Sequence, residues 1–274
     1  MSTAVASIIM AAFNVESYLY KSIESLIKQS HHDWELIIVN DGSTDKTSDI
    51  AKSFNDSRIK YCEQDNQGVS SARNLGLALM TGDYFCFLDG DDAMPQDSIK
   101  ARLDVFQQHP DISFVDGVVI YMNENMIPTR KQYVPSFKGY PYNELLRLSR
   151  SCYFGNTWLI KKEAGFDYRF SEEMTHAEDL LFFLTISKDR KYTYTESPVL
   201  YYRERKNSAM KDLTGLEQGY INLLKKVRQE LHSDPVTLKV LKKRIIRIMF
   251  LSHLFDGRDP FSAVKSIFRF LITV

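Results

Sequence analysis

An apolar run, Phe85-Cys86-Phe87-Leu88, ends in Asp89-Gly90-Asp91-Asp92, which is three carboxylates within four residues. Crowded carboxylates repel one another and lose hydration, so such a cluster calls for a compensating cation. Oxygen donors of this kind suit a hard divalent ion, Mg²⁺ or Mn²⁺. The run before them reads as a buried strand, and open α/β sheets bind ligands at the C-terminal ends of their strands. The segment therefore points to a metal-assisted site for an anionic substrate, with a nucleotide diphosphate as first candidate. A second apolar run, 35–39, ends in Asn40-Asp41-Gly42-Ser43. The Asp41 carboxylate there can face a ligand or bond the backbone of its own turn. Glu178-Asp179 falls at the start of a helix expected over 176–188. Carboxylates suit the positive end of a helix dipole, and a positioned carboxylate can also serve as a general base.

These residues need a frame that brings them together. Strand-like runs at 5–10, 35–39, 59–62, 83–88 and 112–121 alternate with helical stretches over about 16–29, 43–54, 68–80 and 97–109. That alternation predicts an α/β fold, a doubly wound and mostly parallel sheet with helices on both faces. Residues 123–150 carry three prolines and read as loop with short helix, and 191–203 reads as aromatic strand around Pro198. From Leu213 the chain reads as helix to the end, broken at Asp234-Pro235 and near Gly257 and Pro260. The expected units are 1–122 and 123–210, two halves of one domain, and 211–274, a C-terminal helical extension.

Charge and cysteines narrow the classes. Thirty-five basic residues balance 35 acidic ones, so the whole chain has no basic footprint for nucleic acid. The balance is uneven: from Lys239 onward, Lys239, Lys242, Lys243, Arg244, Arg247, Arg258, Lys265 and Arg269 face only Asp256 and Asp259. Cys62, Cys86 and Cys152 are odd in number and lack metal-type spacing, as expected of buried thiols in a reduced compartment. The apolar start has no basic n-region and reads as a first strand. A GxGxxG after the first strand and a Walker A loop are both missing, which argues against a dinucleotide oxidoreductase and a P-loop kinase.

The ordered set SIIMAAFNVESYL, ELIIVNDGSTD, NQGVSSARNLGL, GDYFCFLDGDD and EDLLFF resembles the family 2 glycosyltransferases with the GT-A fold, over 4–122 closely and over 150–208 more loosely. The resemblance implies that Asp41 accepts the N3–H of uracil, while Asp45 suits a helix start. Phe13 would stack on the base or belong to the core, and Asn14 would shape its turn or touch base or ribose. Arg73 would face the nucleotide or form a surface salt bridge. Asp91 would bind the divalent cation (Mn²⁺ or Mg²⁺). Asp89 would hold sugar hydroxyls or reach the metal through water, and Asp92 would join them or cap a helix. Asp179 would be the base and Glu178 its neighbour at the acceptor. His176 and Trp158 would line the acceptor site, or face solvent and lie buried, respectively. Arg203 and Arg205, in the segment from Tyr201 to Ser208, would neutralise the leaving diphosphate or belong to an exposed charged loop.

The activity so implied is inverting, metal-dependent transfer of a hexosyl or N-acetylhexosaminyl group from a UDP-sugar to a saccharide or lipid-linked saccharide. The family points to bacterial surface polysaccharide such as capsule or lipopolysaccharide, made at the cytoplasmic membrane face. A sugar-nucleotide pyrophosphorylase and a non-catalytic nucleotide-binding scaffold are the alternatives. The first would need a glycine-rich basic loop where AAFNVES stands. Val264, Ile267, Phe268 and Leu271 recur at helical spacing beside Lys265 and Arg269, a pattern that fits an anionic membrane surface, the catalytic domain or a second subunit of a homodimer.

Overall fold

The computed structural model describes residues 5–205, 212–231 and 234–273. Ser208 and its neighbours 206–207, part of the charged segment singled out above, lie outside these. Eight strands form one sheet. Strands β1 (Ala6–Ala12), β2 (Trp34–Asp41), β3 (Ile59–Gln64) and β4 (Tyr84–Phe87) run parallel in the order β3-β2-β1-β4. Helices α1 (Leu19–Ile27), α2 (Thr47–Lys52) and α3 (Val69–Leu79) connect them. Strands β1, β2 and β4 are apolar at most successive positions because both faces are covered, while β3, at the sheet edge, mixes half-buried and exposed residues. Ile9, Ile37, Val39, Phe85 and Phe87 face one core, while Ile8, Met10, Leu36, Ile38 and Cys86 face the other.

The second half departs from simple parallel winding. Helix α4 (Ser98–Gln108) leads to β5 (Phe114–Met122), but β5 does not join β4. The short strand β7 (Leu159–Lys161) lies between them, antiparallel to both. Beyond it on the same edge of β5 comes β6 (Pro128–Tyr133), also antiparallel, and β8 (Tyr192–Arg203) pairs parallel along the opposite edge. The sheet is mostly parallel, as expected: β5 runs in the direction of β4, and only the short antiparallel β7 inserted between them and the edge strand β6 depart from that direction. Strand β6 left no apolar signature because it is an exposed edge of Thr129, Arg130, Lys131 and Gln132. Helix α5 (Tyr142–Leu146) is the short helix expected in this region.

The remaining helices are α6 (Glu178–Ser187), α7 (Leu213–Gln229), α8 (Pro235–Phe255) and α9 (Pro260–Thr273). Asp234 caps α8 by accepting from the N–H groups of Val236 and Thr237, and Pro235 fits its first turn. Leu216, Leu223, Leu224, Leu241, Ile245, Met249 and Phe270 join the same core as α6 and the sheet. The C-terminal helices therefore pack into the same core as the sheet. Fully burying one such Leu, Ile or Phe contributes about 1.5–3 kcal/mol.

One core residue costs stability. Asp116, in the middle of β5, is fully buried and accepts from the Gly117 N–H at 2.7 Å and the Tyr192 hydroxyl at 2.9 Å. Burial outweighs these bonds and pushes its carboxyl up to about 6. A carboxyl raised on folding disfavours the folded state once ionised. The penalty is absent below the unfolded value near 3.8 and complete above about 6. Asp116→Asn should therefore stabilise the protein at pH 8 by roughly 1–3 kcal/mol, with the gain fading towards pH 4. Thermal melts across that range check it, and a lower midpoint at pH 8 would show that the carboxylate's hydrogen bonds outweigh its desolvation.

Candidate active site

Strands β2, β1 and β4 are parallel neighbours, so their C-terminal ends meet on one edge of the sheet. The first two ends are laced together. Asn14 sits in the left-handed region at φ 50°, donates its N–H to Ser43 Oγ at 3.0 Å, and accepts from the Thr44 N–H at 2.9 Å. Asp45 accepts from the N–H groups of Glu16 and Thr47, which is the helix-start role its position suggested. Phe13 stands outside this lattice with 46% of its surface exposed, so it is no core residue. Asp41 is buried, and its carboxylate ties down the loop before α3, accepting from Gln64 Nε2 (2.7 Å), Gln67 N (2.9 Å) and Gly68 N (2.9 Å). Gly42 follows at φ +70°, where an added Cβ would fall 2.8 Å from Asn66 N.

At the end of β4, Asp89, Asp91 and Asp92 bring one oxygen each within 4.8 Å of the others. Burial, then their own mutual repulsion, raises the carboxyls of Asp91 and Asp92. Hard oxygen donors under excess negative charge fit a divalent cation, and Asp91 and Asp89 are the pair that would hold it. Two arginines from the end of β8 offset part of that charge. Arg205 Nε meets the Asp91 carboxylate. Arg203 donates its backbone N–H to Asp92 Oδ1 (2.8 Å), Nε to the Asp91 carbonyl (2.6 Å) and Nη1 to the Glu124 carbonyl (2.5 Å). It is a buried strut and not an exposed loop residue, and among the described residues its buried Nη2 has no hydrogen-bond partner. Asp92 thus ties the acidic turn to β8 instead of capping a helix.

Arg73, on α3, joins the two acidic groups of the site. Its Nη2 meets Asp89 Oδ1 and its Nη1 meets Glu178 Oε1, both at 3.1 Å, so it is a buried bridge and not a surface pair. The guanidinium carbon lies 5.3 Å from the Phe170 ring centroid, and Phe170 is stacked on Phe182 at 4.2 Å. This aromatic floor fixes a cation whose burial would otherwise be costly. Across the bridge, α6 starts abruptly: Ala177 takes φ 59°, and Glu178 and Asp179 fill the first turn. Burial and the neighbouring Asp179 push Glu178 up to about 7 against the pull of Arg73. Asp179 Oδ1 accepts from the Leu180 N–H at 2.7 Å.

Two residues at Asp179 had no signal in the sequence. Tyr153 lies close to Asp179, and burial, then that neighbouring carboxylate, raises its ionisation well above the ordinary tyrosine value. Tyr220 is pushed up to about 12 by burial and Asp179. Tyr220 comes from α7, which lies close because Gly219 has no side chain. A Cβ there would come within 2.6 Å of the His176 carbonyl oxygen. His176 is therefore packed under α7 with its ring 3.8 Å from an Asp212 carboxylate oxygen, not turned to solvent. Trp158 is corrected outright as an acceptor contact. It has no accessible surface, donates Nε1–H to the Cys152 carbonyl at 3.0 Å, and packs against Phe183 and Tyr192 at 4.7 and 4.9 Å.

Comparison with known proteins gives a family and a fold. The sequence model described as Glycosyl transferase family 2 matches residues 7–165. Glycosyltransferase GlyA of Streptococcus pneumoniae is 46% identical over 96 residues, covering 34% of this chain and 14% of its own length. The Escherichia coli UDP-Glc:alpha-D-GlcNAc-diphosphoundecaprenol beta-1,3-glucosyltransferase WfgD is 32% identical over 190 residues, covering 69% of this chain and 72% of its own. Among solved structures, S. aureus TarS 1–349 in complex with UDP-GlcNAc superposes with a TM-score of 0.65 at 18% identity, covering 91% of this chain and 73% of that one. The chain thus spans only a small part of GlyA but most of WfgD.

Proposed function

This chain belongs to glycosyl transferase family 2, and from that premise we propose that it moves a sugar from a UDP-sugar to a hydroxyl of a saccharide acceptor with inversion. The observation that carries the proposal is the Arg73 bridge. It couples an acidic cluster suited to a nucleotide diphosphate and its cation to a carboxylate pair suited to an acceptor. In this reading the base lies against exposed Phe13 and reaches Asp41, whose Oδ2 accepts one described bond and keeps a lone pair for an imide N–H. Asn14 holds the turn beneath it.

A divalent cation held by Asp91 and Asp89 would offset the charge that collects on the departing diphosphate. Arg203 Nη2, a buried donor without a partner, supports a further contact to that group, and Arg205 lies beside it on Asp91. Asp179 takes the proton from the acceptor hydroxyl as its oxygen attacks the anomeric carbon. The bond from that carbon to the phosphate oxygen breaks on the opposite face, and UDP leaves. Tyr153 lies beside the Asp179 carboxylate, and Glu178, tied to Arg73, keeps the two halves of the site in register.

The acceptor is lipid-linked in this proposal, and the reaction occurs at the inner face of the cytoplasmic membrane. Phe261, Val264, Phe268, Leu271 and Ile272 form an exposed apolar face on α9, with Lys265 also exposed. Among the described residues no helix is long and apolar enough to cross a membrane, so contact would be peripheral. Arg269, expected to support that contact, instead pairs with Glu217 at 2.7 Å.

The test is release of UDP from a panel of UDP-sugars with and without Mn²⁺ and saccharide acceptors, with pyrophosphate assayed in parallel. UDP release that needs both metal and acceptor is expected. Pyrophosphate release would support nucleotidyl transfer instead, and donor binding without turnover would support a scaffold.

A further inference from the structure

We infer that the groove between α5 and α8 is a second anion site, one that holds the phosphate or diphosphate ester joining a saccharide acceptor to its lipid carrier. This deepens the preceding proposal and rests on its lipid-linked acceptor. The groove, about 660 Å³, is lined by Arg147, Arg150, Lys243, Arg244 and Arg247, with Glu144 as the lone carboxylate. Glu144 is already engaged by Arg147 at 3.0 Å and by the Ser151 hydroxyl at 3.2 Å. Among the described residues, Arg150 has one hydrogen bond, to the Tyr121 hydroxyl at 3.5 Å. Among the described residues, Lys243, Arg244 and Arg247 meet no carboxylate.

Folding does not require this arrangement. Helix α8 packs inward through Leu241, Ile245 and Met249, and its cations stand on the other face. Lys243 and Arg247 are four apart and Arg244 and Arg247 three apart, so on a helix they repel one another. An anion between α5 and α8 would relieve that repulsion, and guanidinium forks match phosphate oxygens in pairs. The site also lies on the acceptor side. Helix α5 packs on α6, and the chain from Arg150 runs directly to Tyr153, which lies close to Asp179.

Binding of geranyl diphosphate to the full chain, with EDTA present to silence the metal site, tests the assignment. The variants are a charge reversal, Lys243→Glu with Arg244→Glu and Arg247→Glu, and a milder pair, Lys243→Gln with Arg247→Gln. Thermal melts and Mn²⁺-dependent UDP binding serve as controls. The wild type should bind, and the variants should weaken binding roughly tenfold or more through lost charge-assisted bonds while UDP affinity stays within about twofold. Binding unchanged in folded variants would overturn the inference. So would a wild type that binds phosphatidylglycerol vesicles but not the soluble diphosphate, because the groove would then serve bulk headgroups. Failure of UDP binding in the wild type would instead sink the donor reading and leave the groove result standing.

Discussion

Asp179→Asn should lower sugar transfer about 10²–10⁴-fold, the usual cost of a lost general base, while UDP binding with Mn²⁺ stays at the wild-type level. The side chain sits in the first turn of α6, where its Oδ1 accepts from the Leu180 N–H at 2.7 Å. Asparagine can keep that bond and the shape of the turn, so the fold should survive. What it cannot do is receive a proton. Steady-state kinetics beside calorimetric UDP binding separate the two effects. The neighbour provides the contrast. Glu178 is bonded to Arg73, so Glu178→Gln should disturb both halves of the site and weaken donor binding as well as turnover. A near-normal rate in Asp179→Asn with a collapsed rate in Glu178→Gln would transfer the base to Glu178.

Asp91→Asn should abolish the Mn²⁺ dependence of UDP binding and reduce transfer by roughly 10³-fold, in line with the several kcal/mol that a metal ion contributes at a developing charge. Asp91 is the cluster member whose carboxylate is paired with Arg205 while its carbonyl anchors Arg203, so asparagine preserves the volume and the Arg203 strut. Removing one of three crowded carboxylates also relieves repulsion, which is the largest electrostatic cause, after burial, of the raised Asp91 and Asp92 carboxyls. A normal or higher melting temperature is therefore expected alongside the lost activity. Titration of UDP at fixed Mn²⁺ checks the first point. Affinity with an unchanged metal requirement would remove Asp91 from the cation's ligands.

Much of the frame was legible because it depends on local patterns. Apolar runs of strand length that end in Asp or Asn marked the ends of β2 and β4, and the capping residue and proline at Asp234-Pro235 marked the start of α8. Two-sided burial makes such runs continuous, which is a signal that survives without any knowledge of neighbours. The edge strand β6 lacked that signal because its residues face water, and β7, only three residues long, was too short to carry one.

The sequence by itself determined which carboxylates end the strands and open α6, since each is set by the run beside it. The tertiary structure decided what those carboxylates meet. Arg73 lies 105 residues from Glu178, and only the packing of α3 and α6 on a shared aromatic floor brings them to 3.1 Å. Tyr153 and Tyr220 reach Asp179 from separate elements, the second through the space that Gly219 leaves open. Trp158 looked equally fit for a ligand or a core until the fold packed it against Phe114, Phe183 and Tyr192 from three other elements. Strand order and the partner of a buried charge depend on burial summed over distant segments, and no local spacing encodes that sum.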